Sequence, residues 1–216
     1  MPNNFEKIKS KNHHRAEEGD FSQEVWELLD RFDAGDPDVI EVAPPLTDRI
    51  KSAEVRSDGE EKTFLTFGLG GCNGVFIFTE QKSGLRNATL AHYSELKTPV
   101  AIDEIRKELE QRPRMKEAII KQAILLAPGM AVKDPATGEE VMRVATTKFT
   151  DEIAEAIREE LGEETEIKIE PYPEERKDDE KDFGVFVVHV PSADRGMVSY
   201  RTWFSGGEIE SAKAEK

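Results

Sequence analysis

Cysteine is nearly absent from this chain. One thiol, Cys72, in 216 residues leaves no disulfide to form within the molecule, which excludes the stapled scaffolds of small secreted domains and suits a reducing compartment. Long apolar runs are also missing, and no stretch approaches the ~18 residues of a membrane helix. Met1 to Arg15 is polar and lacks the apolar segment of a signal peptide. These absences give the expectation of a cytoplasmic protein without membrane insertion. Positive charge is in deficit, with 30 lysines and arginines against 45 aspartates and glutamates, a net charge of −15. Such a surface repels phosphate backbones, so no nucleic-acid partner is expected. The four histidines, His13, His14, His92 and His189, are scattered and lack the spacing of a zinc site, so no metal is expected either.

What is present is enough for one domain with a core: 37% of residues are hydrophobic and 35% charged. Residues 1–19 are polar and read as a disordered tail. Residues 20–52 read as a helical extension. Ser22 is placed to cap a helix from Gln23 to about Phe32, with Phe21, Val25, Leu28, Leu29 and Phe32 on one face. Ala34-Gly35-Asp36-Pro37 would stop it, a strand at Val39 to Val42 follows, and Pro44-Pro45 punctuates the chain. An apolar helix face of this length needs cover, and the main domain is its expected partner.

The main domain spans 53–204. Lys62 to Phe67 reads as a strand with Phe64 and Thr66 on one face. A glycine-rich turn, Gly68-Leu69-Gly70-Gly71, leads to Cys72. Strands are expected at Val75 to Thr79 and at Leu85 to Tyr93. Thr98 and Pro99 open a helix lined by Ile102, Ile105 and Leu109. A second helical stretch is expected at Met115 to Ile119. Gln122 to Ala127 reads as a buried strand ended by Pro128-Gly129, then a loop at Val132 to Gly138 and a strand at Val141 to Ala145. Thr150 reads as the cap of a helix striped by Ile153, Ile157 and Leu161 and stopped by Gly162. A strand at Thr165 to Glu170 precedes a charged, solvated excursion over Pro171 to Asp182. Phe183 to Val190 and Val198 to Phe204 read as a closing hairpin, and 205–216 as a polar tail. The class is α/β in the broad sense, α+β in detail: mixed, largely antiparallel sheet layered with helices.

The glycine-rich segment is not a phosphate loop, because it lacks the Gly-Lys-Ser/Thr ending, has Asn73 where a dinucleotide fingerprint needs glycine, and leads into a strand. Its interest lies in Cys72. A lone cysteine is usually a small core residue. Here glycines before it leave backbone N–H groups able to hold an oxygen, and His92, near the end of a neighbouring strand, is a base within reach of the thiol.

The run Thr66-Phe67-Gly68-Leu69-Gly70-Gly71-Cys72, followed by Ala91-His92, resembles the CheD chemoreceptor glutamine deamidases. Ala53-Glu54-Val55 is similar to that family's first strand, and the later elements follow its order. The resemblance covers about Ala53 to Phe204 and is specific from Thr66 to His92. It implies Cys72 as nucleophile, His92 as base and Thr66 as the group that orients the histidine, on a fold related to the cytotoxic necrotizing factor toxins. Backbone groups of Gly70, Gly71 and Asn73 would hold the oxyanion, and no cofactor is required. The implied partner is a protein with an accessible glutamine, chemoreceptors among the candidates, together with a regulatory protein. The chain departs from the family at Gly71, where serine is usual, at Asn87-Ala88-Thr89 in place of glycines, and at Ser94-Glu95-Leu96-Lys97. Three readings stay open: a cysteine-dependent amidohydrolase, a non-catalytic CheD-like binding or regulatory module, and a structural protein with Cys72 in its core.

Overall fold

The computed structural model describes residues 23–42, 50–56, 59, 61–69, 71–94, 98–145, 147–173, 184–204 and 207–209. The expected Ser22 cap, Phe21, Pro44-Pro45 and Gly70 lie outside them. The fold is α+β, with two antiparallel-dominated sheets and helices on both outer faces.

The first sheet has the order β1-β3-β9-β10-β11. It contains β1 (Val39–Glu41), β3 (Lys62–Phe67), β9 (Val185–Val190), β10 (Ser199–Phe204) and β11 (Gly207–Ile209). The second runs β2-β5-β4-β6-β7, with β8 beside β6. Its strands are β2 (Ile50–Val55), β4 (Cys72–Glu80), β5 (Arg86–Ser94), β6 (Ile120–Lys133), β7 (Glu140–Val144) and β8 (Glu166–Pro173). Two pairings are parallel, β1 with β3 and β6 with β8.

Alternation along the strands sorts the core into three layers. Phe64, Phe76, Phe78, Leu90, Phe186 and Val188 meet between the sheets. Val75, Ile77, Ala91 and Leu125 face outward against helices α2 (Thr98–Glu110) and α4 (Thr147–Leu161). Leu65, Val185 and Val187 face α1 (Gln23–Asp33), which presents Val25, Leu28 and Leu29. The apolar face of α1 is thus covered by the chain itself, and β1 joins the first sheet beside β3. Gly35, at φ 79°, turns the chain after α1, and Gly162, at φ 112°, does so after α4. Among the described residues no helix is long and apolar enough to cross a membrane.

Several boundaries differ from the sequence reading, each for a physical reason. β6 does not stop at Pro128-Gly129. Its pairing with β4 ends at Leu126 and its pairing with β7 begins at Gly129. The Pro128 carbonyl accepts from Ala145 N at 2.8 Å, so the proline nitrogen faces the same handover gap, where no donor is needed. The helical stretch expected at Met115 to Ile119 is a single turn, α3 (Pro113–Lys116), because the chain must reach β6 at Ile120. Thr150 is not the cap of α4; the helix already begins at Thr147, and the Thr150 hydroxyl donates back to the Thr147 carbonyl at 2.7 Å. The excursion expected from Pro171 does not start there: β8 runs on to Pro173, with Tyr172 only 2% exposed, and the rest of that stretch, 174–182, lies outside the described residues. Gly207–Ile209, read as tail, pair with Thr202 to Phe204.

The strand crossing at Gly129 is tight. A Cβ there would lie 2.8 Å from Pro171 Cβ and 3.0 Å from the Tyr172 carbonyl oxygen. Gly129→Ala should destabilise the fold by about 1–3 kcal/mol by pushing β8 from β6. Gly138→Ala, whose Cβ would meet nothing within 4 Å, isolates the cost of a positive φ alone. Urea unfolding of both variants checks this; an unperturbed Gly129→Ala would show that the β6–β8 crossing has slack.

Candidate functional site

The inter-sheet layer carries a chain of polar groups at one end. Thr66 comes from β3 of the first sheet and His92 from β5 of the second. Both are buried, His92 at 2% exposure. Thr66 Oγ1 lies 2.7 Å from His92 Nδ1 and 2.7 Å from the Val42 carbonyl oxygen. Val42 follows β1 and is held by its own N–H, which donates to the Leu65 carbonyl at 2.9 Å.

Proton counting decides the tautomer. A threonine hydroxyl has one proton, and a carbonyl can only accept. The Thr66 proton therefore goes to Val42. Toward His92 the hydroxyl oxygen accepts, so Nδ1–H donates to it. The lone pair of the neutral imidazole is then on Nε2. That Nε2 is buried and has no hydrogen-bond partner among the described residues. Burial pushes the pKa of His92 down to about 4, because charging the ring in this layer would forfeit its hydration.

Cys72 opens β4. Register pairs it with Ser94, and pairs Gly74 with His92. Cys72 and His92 are thus diagonal neighbours on adjacent strands, on the same face of the sheet, a relation that spans ~7–8 Å between backbones. Gly74 puts no side chain between them; the nearest atoms to an added Cβ there would be Leu126 and Leu69 carbons at 3.6–3.7 Å. Cys72 packs against the inter-sheet core yet stays partly exposed. Its carbonyl accepts a 2.5 Å hydrogen bond from Tyr172 Oη on β8.

The turn before Cys72 follows from its glycines. Gly68 and Gly71 have φ of 79° and 75°, a region that L side chains avoid, so a serine in place of Gly71 would be strained. Leu69, fully buried, pins the turn to the core, and its N–H donates to the Gly184 carbonyl at 3.3 Å. Asn73 turns its side chain to the helix side of the sheet, away from Cys72; its carboxamide is buried with no partner among the described residues. It can serve the site only through its backbone.

Thr66, Cys72 and His92 are therefore brought to one face of one layer. Two contributors were not read from sequence. Val42 was assigned to the extension, and Tyr172 to the charged excursion, although the alternation of Glu166 to Tyr172 runs on through Pro171. No family model matches the chain, and no curated protein matches it.

His92 also makes stability depend on pH. Its folded pKa of about 4 lies below the unfolded value of 6.5, so between those values the unfolded chain holds a proton that the folded one lacks. Its contribution is complete above pH 6.5 and is lost as pH falls toward 4, by roughly 3 kcal/mol at most. His92→Gln should flatten that part of a stability-versus-pH curve measured by urea unfolding. An unchanged slope would place the imidazole in contact with water.

Proposed function

We propose that this protein is a cysteine-dependent amidohydrolase that deamidates glutamine side chains of a protein substrate. The observation that carries the reading is the bare Nε2 of His92, fixed in one tautomer by Thr66 and facing the layer that Cys72 enters. A packed histidine has no cause to leave a buried nitrogen unpaired, a state that costs ~1–3 kcal/mol. A general base must keep such a lone pair available.

His92 is neutral at rest, so the thiol is activated by transfer of its proton to Nε2 as sulfur approaches the carboxamide carbon. The tetrahedral oxygen is held by N–H groups at the turn, Gly71 and Asn73 among them. Ammonia leaves with the proton from His92. Water, deprotonated by Nε2, then cleaves the thioester, giving glutamate and restoring the thiol. One water is consumed and one ammonia released, with no cofactor in the balance. The partly exposed Cys72 and the acidic surface fit a protein substrate with an accessible, basic-flanked glutamine. The resemblance to CheD-like deamidases offers chemoreceptors as first candidates, with a second protein as regulator.

Incubation with candidate proteins should release ammonia and add about one dalton per glutamine. Cys72→Ser and His92→Ala should each cut turnover at least about a thousandfold. Thr66→Val should cost less, because it removes orientation and not a reacting group. Iodoacetamide should modify the partly exposed Cys72 in the native protein, and more slowly in His92→Ala, where no base takes the thiol proton as sulfur attacks. A thiol that reacts only on unfolding would favour the non-catalytic regulatory module instead. Reactivity without turnover on any tested protein would reject those proteins as substrates and leave the nucleophile standing.

A further inference from the structure

Tyr172 touches the candidate site through the backbone alone. Its hydroxyl donates to the Cys72 carbonyl at 2.5 Å, and its ring is buried between the sheets, 2% exposed. A buried tyrosine needs an acceptor for its hydroxyl, and many strand carbonyls would serve. The register explains why this one is taken. β4 and β6 pair as far as Gly74 with Leu126; continued by two residues on each strand, that register sets Cys72 opposite Pro128. Pro128 has no N–H to give, and its carbonyl turns to Ala145 N. Pro128 is also the register partner of Tyr172 on its other side. The phenol therefore reaches from β8 over the proline to β4, two strand spacings or roughly 10 Å, and supplies a donor where the ladder has none to offer.

The strand that carries the phenol is stiff at this point. Pro171 and Pro173 flank Tyr172, and a residue before proline is biased to extended backbone. β8 also lies close against β6 here, since a Cβ on Gly129 would come within 2.8 Å of Pro171 Cβ. At the other end of the bond, Cys72 is the first residue of β4 and follows Gly71 at φ 75°, with β5 pairing on one side through Ser94. On the β6 side the tyrosine hydroxyl takes the place of a ladder bond. The position of Cys72 matters because an ångström of misplacement between reacting groups can cost ~100-fold in rate.

We propose that Tyr172 is a positioning residue of the candidate site: its hydroxyl stands in for the N–H that Pro128 lacks and holds the main chain of Cys72 where the sulfur reacts. This rests on the reading of Cys72 as a nucleophile assisted by His92, and alkylation tests the two apart without any protein substrate. Tyr172→Phe removes one hydrogen bond and no packing, and urea unfolding confirms that each variant is native when it reacts. Iodoacetamide labelling of Cys72 in native Tyr172→Phe should slow about tenfold. Pro128→Ala returns an N–H to the ladder. In that background the same substitution should change the rate less than about twofold, a coupling that a purely structural tyrosine would not produce. Protein carrying ¹³C-carbonyl cysteine gives a single labelled signal, because Cys72 is the only cysteine. That signal should move upfield in Tyr172→Phe and return in the double variant with Pro128→Ala. An alkylation rate that is unchanged or faster in native Tyr172→Phe would overturn the proposal, as would an equal loss in both backgrounds. If His92→Ala reacts like the wild type while Tyr172→Phe is slow, the base assignment falls and the tether stands; the reverse pattern keeps the base and removes the tether.

Discussion

The hydrogen bond between Thr66 and His92 ties the two sheets together and decides the chemistry of the layer between them. It works because of a third group. Without the Val42 carbonyl to take its proton, the Thr66 hydroxyl could donate to Nδ1, and the lone pair would no longer be confined to Nε2. Val42 in turn depends on β1 pairing with β3, and β1 depends on the cover that α1 gives to Leu65, Val185 and Val187. An apolar helix thirty residues or more from the nearest site residue is therefore part of the apparatus that sets a tautomer.

The other end of the sandwich is closed by a different device. Arg86 begins the same strand that carries His92. It pairs with Glu80 at 2.7 Å and donates to the carbonyls of Pro191 and Gly196, at 2.7 and 2.8 Å, on the turn of the opposite sheet. A guanidinium this deeply buried is tolerable because its donors are met. Strand β5 thus holds the sheets together by a saturated charge at one end and by a half-satisfied imidazole at the other.

Much of this was legible in the sequence, and the reason differs by element. Alternation placed Phe64 and Thr66 on one face of β3, and helical spacing placed Val25, Leu28 and Leu29 on one face of α1, because burial imposes those periods directly. The glycines at 68 and 71 pointed to a turn that only they can make. What local pattern could not carry were partners. Pro128 looked like a strand end because its missing N–H is visible in sequence, while the handover from β4 to β7 that excuses it is not. Tyr172 looked solvated because charged residues follow it, yet β8 lies parallel to β6 and reaches Cys72 across a hundred residues of chain. Val42 contributes a backbone oxygen, which no side-chain pattern reports.

Burial of His92 also constrains any reaction at Cys72. An imidazole whose pKa is held near 4 does not rest beside a thiolate as a preformed ion pair. Positive charge can appear on the ring only together with negative charge beside it, and the burial that makes the ring hard to charge also leaves that pair poorly screened and strongly attracting. A charge that forms only as sulfur bonds to a carbonyl carbon is one that the resting protein never has to stabilise. The low pKa, which on its own would describe an inert core histidine, becomes favourable under the proposed reaction, with an acceptor for Nδ1–H and a thiol on the same face as Nε2: the binding energy would then be available to the transition state and not to the resting protein.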